Sequence, residues 1–219
     1  KVLKNKKIKR IWRRAKNIIF ELSDGYSLLI HQKMTGHLMV GKWKLENKIW
    51  KPVKDGLLAE KVNSYIHLLF TFDDGMMMAM SDYRKFAKVE LWKTEELLIS
   101  KGFLSLGPEP LEDAFTFKKF KERLKNKRGK IKQVLMKPEV MAGIGNIYAS
   151  EALWWAKIHP AKDTSKLREK ELQLLYEALR KVLTKGVELG GDIFSDYRNV
   201  DGDIGGFDDE RKVYKREKQ

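Results

Sequence analysis

The sequence predicts an α+β protein, with an antiparallel β-sheet first half followed by a helical second half. Two patterns carry that reading. Up to about residue 92, short apolar or alternating runs are separated by tight turn signals. From residue 115 onward, apolar residues recur at helical spacing. The class changes near Gly102–Pro110, where LGPEP (106–110) reads as a linker.

In the first half, NIIFEL (17–22), YSLLIH (26–31), HLMVGK (37–42), YIHLLFTF (65–72), MMMAM (76–80) and KVELW (88–92) read as strands. Ser23-Asp24-Gly25, Thr35-Gly36 and Asp73-Asp74-Gly75 supply the turns between them. Spacing this short suits an antiparallel sandwich or barrel and leaves no room for βαβ crossovers. In the second half, helices are expected over 115 to about 127, 131–136, 147–158 and 167 to about 189. In the last of these, Leu172, Leu175, Leu179, Val182 and Leu183 form one apolar stripe. After Gly190-Gly191 the pattern dissolves into a long polar, Gly-rich stretch, a kind of loop that is more often functional than structural.

A hydrophobic content of 42% argues for a folded chain, and the absence of Cys removes disulfides and thiolate zinc sites together. No apolar run approaches the length of a membrane span, which points to a cytoplasmic protein. The formal net charge is +15, and it is concentrated. Residues 1–16 hold nine Lys/Arg and residues 118–132 hold nine more, so 18 of the 45 basic residues fall in two short runs. A single run of this kind is commonly a solvated face. Two of them beside an anion-binding turn point to phosphate-backbone contact.

That turn lies in AGIGNIYASEALWWAKIHP (142–160). Gly143 and Gly145 free the backbone ahead of Asn146, a good N-cap residue, so a helix is expected to start at Asn146. Its unpaired N–H groups and the helix dipole then make a site for a phosphate. Taken alone, Met34 and Phe86 read as core side chains, His31 as structural, and Trp154 and Trp155 as helix packing. Met76–Met80 reads as a strand that fills the sheet interior.

Taken in order, HQKMTGHL (31–38), SDYRKF (81–86), LGPEP (106–110), GIGNIYASEALWWAKIHP (143–160) and GG…SDY…DG…GGF (190–207) resemble the bacterial formamidopyrimidine-DNA glycosylase family and its Nei-type relatives. The resemblance implies a β-sandwich domain over 1–105 and a helix–two-turn–helix domain over 106–219, with damaged double-stranded DNA in a basic cleft. It also implies base flipping, base excision and abasic-strand cleavage by a monomer at the bacterial nucleoid.

Residue by residue, it makes Met34 and Phe86 the wedge that fills the vacated stack and Arg84 the residue facing the orphaned base. Lys16 becomes the proton donor in strand cleavage, Lys127 a DNA-contacting lysine and Asn146 a phosphate ligand. Ser195, Tyr197 and Phe207 fall in the loop that closes over the flipped base.

The departures are equally specific. The family's nucleophile is an N-terminal Pro followed by Glu, whereas this sequence opens at Lys1. KVYKREKQ resembles the strand before a four-Cys zinc finger, and the sequence ends at Gln219, ahead of the first Cys. The expectation is therefore a chain truncated at both ends, without cofactor or zinc, and inactive when isolated. Tyr65, Tyr83 and Ala87 stand where the family more often has His, Pro and Gly. A non-catalytic DNA-binding protein using the helix–two-turn–helix alone is the alternative reading.

Overall fold

The computed structural model describes residues 2–191 and 198–214. Its strands are β1 (Ile8–Arg14), β2 (Asn17–Leu22), β3 (Tyr26–His31), β4 (Gly36–Gly41), β5 (Trp43–Glu46), β6 (Ile49–Pro52), β7 (Ile66–Thr71), β8 (Met77–Asp82) and β9 (Lys88–Lys93). The helices that follow are α1 (Thr94–Ile99), α2 (Lys101–Leu104), α3 (Phe117–Leu124), α4 (Ile131–Leu135), α5 (Asn146–Trp155) and α6 (Glu169–Glu188). The expected α+β order, sheets first and helices second, is the one observed.

The strands form a four-stranded sheet in the order β1-β2-β3-β9, a three-stranded sheet in the order β4-β8-β7, and the β5-β6 hairpin. Strand β8 pairs antiparallel with both neighbours, placing Leu38 and Leu68 opposite Met80. Met78, Ala79 and Met80 are buried, as expected for a strand that fills the interior.

Three strands were hidden from the periodicity. Strand β1 lies in the first basic run and pairs with β2 through Arg10↔Glu21, Trp12↔Ile19 and Arg14↔Asn17. It is an edge strand with most side chains exposed, so no apolar alternation announces it. Strands β5 and β6 are four residues each and carry lysines between their apolar positions.

By its packing the chain divides into two compact units. The first comprises Lys1–Leu28, Leu91–Glu188 and Glu210–Gln219, and the second Leu29–Glu90 and Leu189–Asp209. The core of the first unit gathers Phe120 and Leu124 of α3, Ile131, Val134 and Leu135 of α4, Ala149, Ala152 and Leu153 of α5, and Leu175 and Leu179 of α6. The predicted α6 stripe is buried at Leu175, Leu179 and Val182, with Leu172 and Leu183 packed at its margin. The core of the second unit includes Met39, Trp43 and Ala79, with Trp50, Ile66 and Leu69 against them.

One local expectation needs correction. Leu106–Pro110 is no free linker. Gly107 N–H donates to Pro138 O at 2.8 Å, Ala142 N–H donates to Pro108 O at 2.9 Å, and Glu109 is buried. Trp154 and Trp155 pack at the helix surface, against each other and under α6, rather than in the core. Both are about two-fifths exposed and meet edge to face at 5.1 Å, with Lys181 Nζ 4.2 Å from the Trp155 ring centre.

Candidate nucleic-acid interface

In the first unit, the candidate surface begins at the β1–β2 turn. Two residues, Ala15 and Lys16, join the strands, and Ala15 takes a left-handed φ of 53°. A non-glycine residue takes that conformation at a cost that its surroundings can offset. Here they do so through Glu109. Its carboxylate accepts from Ala15 N–H at 2.6 Å, Arg13 Nη1 at 2.6 Å and Arg14 Nη1 at 2.8 Å. Arg14 Nη2 also donates to the carbonyls of Leu106 and Gly107. Burial pushes the Glu109 carboxyl upward, but the Ala15 N–H and the two guanidinium groups outweigh it and hold the group below its ordinary value.

Lys16 is carried on this turn and points at the start of α5. A Cβ placed on Gly145 would lie 2.9 Å from Lys16 Nζ, so glycine at 145 leaves the space that the ammonium group occupies. Gly143, at φ 80°, supplies the left-handed residue of the same approach.

The N-cap of α5 is Gly145, in extended conformation, and Asn146 is already the first helical residue without a side-chain cap bond. This corrects the expected capping role. The Asn146 amide is exposed and donates from Nδ2 to Tyr214 Oη at 3.2 Å. The first-turn N–H groups of α5 lie beyond the reach of intrahelical acceptors, as at any helix start.

The segment 212–214 is fixed to α5 by Glu151, which sequence reasoning missed. Buried at 1% exposure, it accepts from the N–H groups of Lys212, Val213 and Tyr214 at 2.7, 3.1 and 2.8 Å. The available signal was a lone carboxylate inside an otherwise apolar stretch of α5.

Lys127 belongs to the same unit but lines a different surface. It follows α3 and borders a cavity of about 820 Å³ with Lys118, Lys121, Lys125 and Arg128. The lysines are not all available to an anion, since Lys121 pairs with Glu169 at 2.5 Å.

In the second unit, the turn after β8 presents the other candidates. Asp82 is buried and takes the hydroxyl of Thr35, the N–H of Ala87 at 2.7 Å and the N–H of Arg84 at 3.2 Å. Burial would raise its carboxyl, and these neutral donors outweigh that and hold it below its ordinary value. The turn so fixed exposes Arg84 and Phe86, and Arg84 Nη1 lies 3.7 Å from Met34 Sδ. Met34 and Phe86 are 59% and 57% exposed, so neither is a core residue.

At the far end of the polar loop, Gly206 N–H donates to Leu189 O and Phe207 N–H to Gly191 O, and Phe207 is buried. Val200 O accepts from Val40 N–H at 2.7 Å, and Gly202 O accepts from buried Asn63 Nδ2 at 3.3 Å. Ser195 and Tyr197 lie outside the described residues.

Among the described residues, no group of three His, Cys, Asp or Glu side chains is placed to hold a metal ion. With no Cys in the sequence, the residues present do not fit a four-Cys zinc site. Also among the described residues, no helix is long and apolar enough to cross a membrane.

Residues 1–89 match the model of the formamidopyrimidine-DNA glycosylase N-terminal domain, and residues 106–198 match that of the formamidopyrimidine-DNA glycosylase H2TH domain. The formamidopyrimidine-DNA glycosylase of Rickettsia conorii is 36% identical over 216 residues, covering 98% of this chain and 73% of that protein. That of Desulforamulus reducens is 34% identical over 209 residues, covering 95% and 70%. Among solved structures, the MutM (Fpg) protein of Thermus thermophilus aligns with a TM-score of 0.79 at 34% identity, covering 97% of this chain and 73% of that one. The Lactococcus lactis Fpg in complex with DNA containing an abasic site aligns with a TM-score of 0.80 at 34% identity, covering 97% and 72%.

Proposed function

Because the chain belongs to the formamidopyrimidine-DNA glycosylase family, we propose that it is a base-excision repair glycosylase acting on oxidised bases in duplex DNA. It works as a monomer at the bacterial nucleoid, and excision is followed by lyase opening of the abasic strand. The functional division falls near residue 105, between the sheet-rich part and the helical part.

The observation that carries this reading is the seat of Lys16 against Gly145, at the start of α5. One ammonium group and the first-turn N–H groups of α5 converge there, which suits a phosphate beside the damaged nucleotide. In the lyase step the Lys16 ammonium hands a proton to the departing strand. Asn146 supports the phosphate through its exposed amide, and Lys127 with its neighbouring cations engages phosphates farther along.

Met34 and Phe86 supply the apolar surface that replaces an extruded base in the stack, and Arg84 faces the base left behind. Ser195 and Tyr197 belong to the lesion-recognition loop, and the buried Phe207 anchors its end. These residues call for no cofactor.

The test is equilibrium binding to two duplexes of one sequence, one carrying a tetrahydrofuran abasic-site analogue and one intact. Tighter binding to the first is expected, and equal affinity at every salt concentration would overturn the reading. Release of free formamidopyrimidine base by the protein that carries these residues tests excision separately and discriminates against a purely DNA-binding role.

A further inference from the structure

The Asp82–Ala87 turn exposes one large side chain that the wedge does not account for. Tyr83 is 60% exposed, more than either wedge residue. Its ring is not loose. Half-buried Tyr65 meets it at 4.9 Å with the planes 69° apart, an edge-to-face contact. Tyr65 is itself tied to the turn, since Asp82 N–H donates to Tyr65 O at 3.0 Å. The turn is gripped again by the Asp82 carboxylate through the N–H groups of Arg84 and Ala87. Lys61, Val62 and the two tyrosines line a cavity of about 250 Å³ beside the pair.

A rigid turn that holds an aromatic ring in water forgoes the burial that would stabilise it, and such exposed apolar surface marks an interface. The residues following Tyr83 in sequence are Arg84 and Lys85, so the interface is cationic as well as aromatic. That combination fits a nucleobase, whose π-face stacks on an aromatic ring next to a charged backbone.

We propose that Tyr83 is a nucleobase-stacking residue, with Tyr65 setting its ring angle, and that its ligand is a base next to the extruded nucleotide. Extrusion strips one stacking face from each neighbouring base. Tyr83 covers a face that the Met34–Phe86 wedge leaves bare. The proposal rests on the assignment of that wedge.

The experiment places 2-aminopurine in turn at each position flanking a tetrahydrofuran site, on either strand, and reads its emission in the complex. At one position the Tyr83→Ala complex emits more strongly than wild type, because the probe has lost its stacking partner. Tyr83→Phe, which keeps the ring, emits as wild type. Affinity for the abasic duplex falls about tenfold in Tyr83→Ala and stays within about twofold in Tyr83→Phe. Unchanged melting temperatures show that the exposed substitutions leave the fold intact.

Wild-type emission from Tyr83→Ala at every position would overturn the proposal, as would Tyr83→Phe behaving like Tyr83→Ala. Met34→Ala and Phe86→Ala separate the two readings. If they erase the preference for the abasic duplex while Tyr83→Ala leaves emission unchanged, the stacking role alone fails. If they leave that preference intact, the wedge assignment fails and the stacking role fails with it.

Discussion

The Arg14–Asn17 turn of the first unit and the Asp82–Ala87 turn of the second are each fixed by one buried carboxylate and present exposed side chains, but with different donors. Glu109 is held by two guanidinium groups and one N–H, and the turn it fixes presents a cation, Lys16. Asp82 is held by a hydroxyl and N–H groups, and its turn presents Tyr83, Arg84 and Phe86. The aromatic side chains of the second turn need only a fixed backbone, and neutral donors suffice. On the proposed function, the two turns divide backbone grip from lesion discrimination.

Acid breaks both at once, so it should give the largest effect. Each carboxyl titrates lower in the folded than in the unfolded chain. Each therefore adds stability above its unfolded value, 4.5 for Glu109 and 3.8 for Asp82, and loses it as pH falls through the depressed folded value. The melting temperature should drop on going from about pH 5 to about pH 3, and Glu109→Gln or Asp82→Asn should each make that drop shallower.

At neutral pH, Glu109→Gln should cost about 3 kcal/mol in urea unfolding, since it strands two arginines, one of them more than half exposed. Asp82→Asn keeps an acceptor and faces neutral donors, so about 1–2 kcal/mol is expected. A larger loss at Asp82 than at Glu109 would break the contrast between ionic and neutral anchoring. Gly145→Ala should change stability least, because the added methyl meets only the flexible end of Lys16. It should displace that ammonium group and lower the salt dependence of DNA binding, and an unchanged salt slope would show that Lys16 does not act from this seat.

Much of this was legible in the residues, and what was not has physical causes. β2 and β3 match their predicted bounds because turn signals bracket clean apolar runs. The motif GIGN located the start of α5 to within one residue, although the cap is Gly145 and Asn146 lies inside the helix. Strand β1 was missed because an exposed edge strand needs no apolar face, so its cations masked its period. Glu109 reads as part of a linker because its partners, Arg13, Arg14 and Ala15, are more than ninety positions away in sequence. The exposure of Met34 and Phe86 was equally invisible to composition, which places such residues in cores; only their motifs suggested otherwise.

The most direct test of the division of labour is a salt titration of binding to abasic-analogue and intact duplexes, run on Lys16→Met and Phe86→Ala. Lys16→Met should lower the salt slope by about one on both duplexes and preserve their affinity ratio. Phe86→Ala should keep the slope and collapse the ratio. If Lys16→Met erased lesion preference while Phe86→Ala altered only the slope, the two turns would have the opposite roles and the account would be wrong.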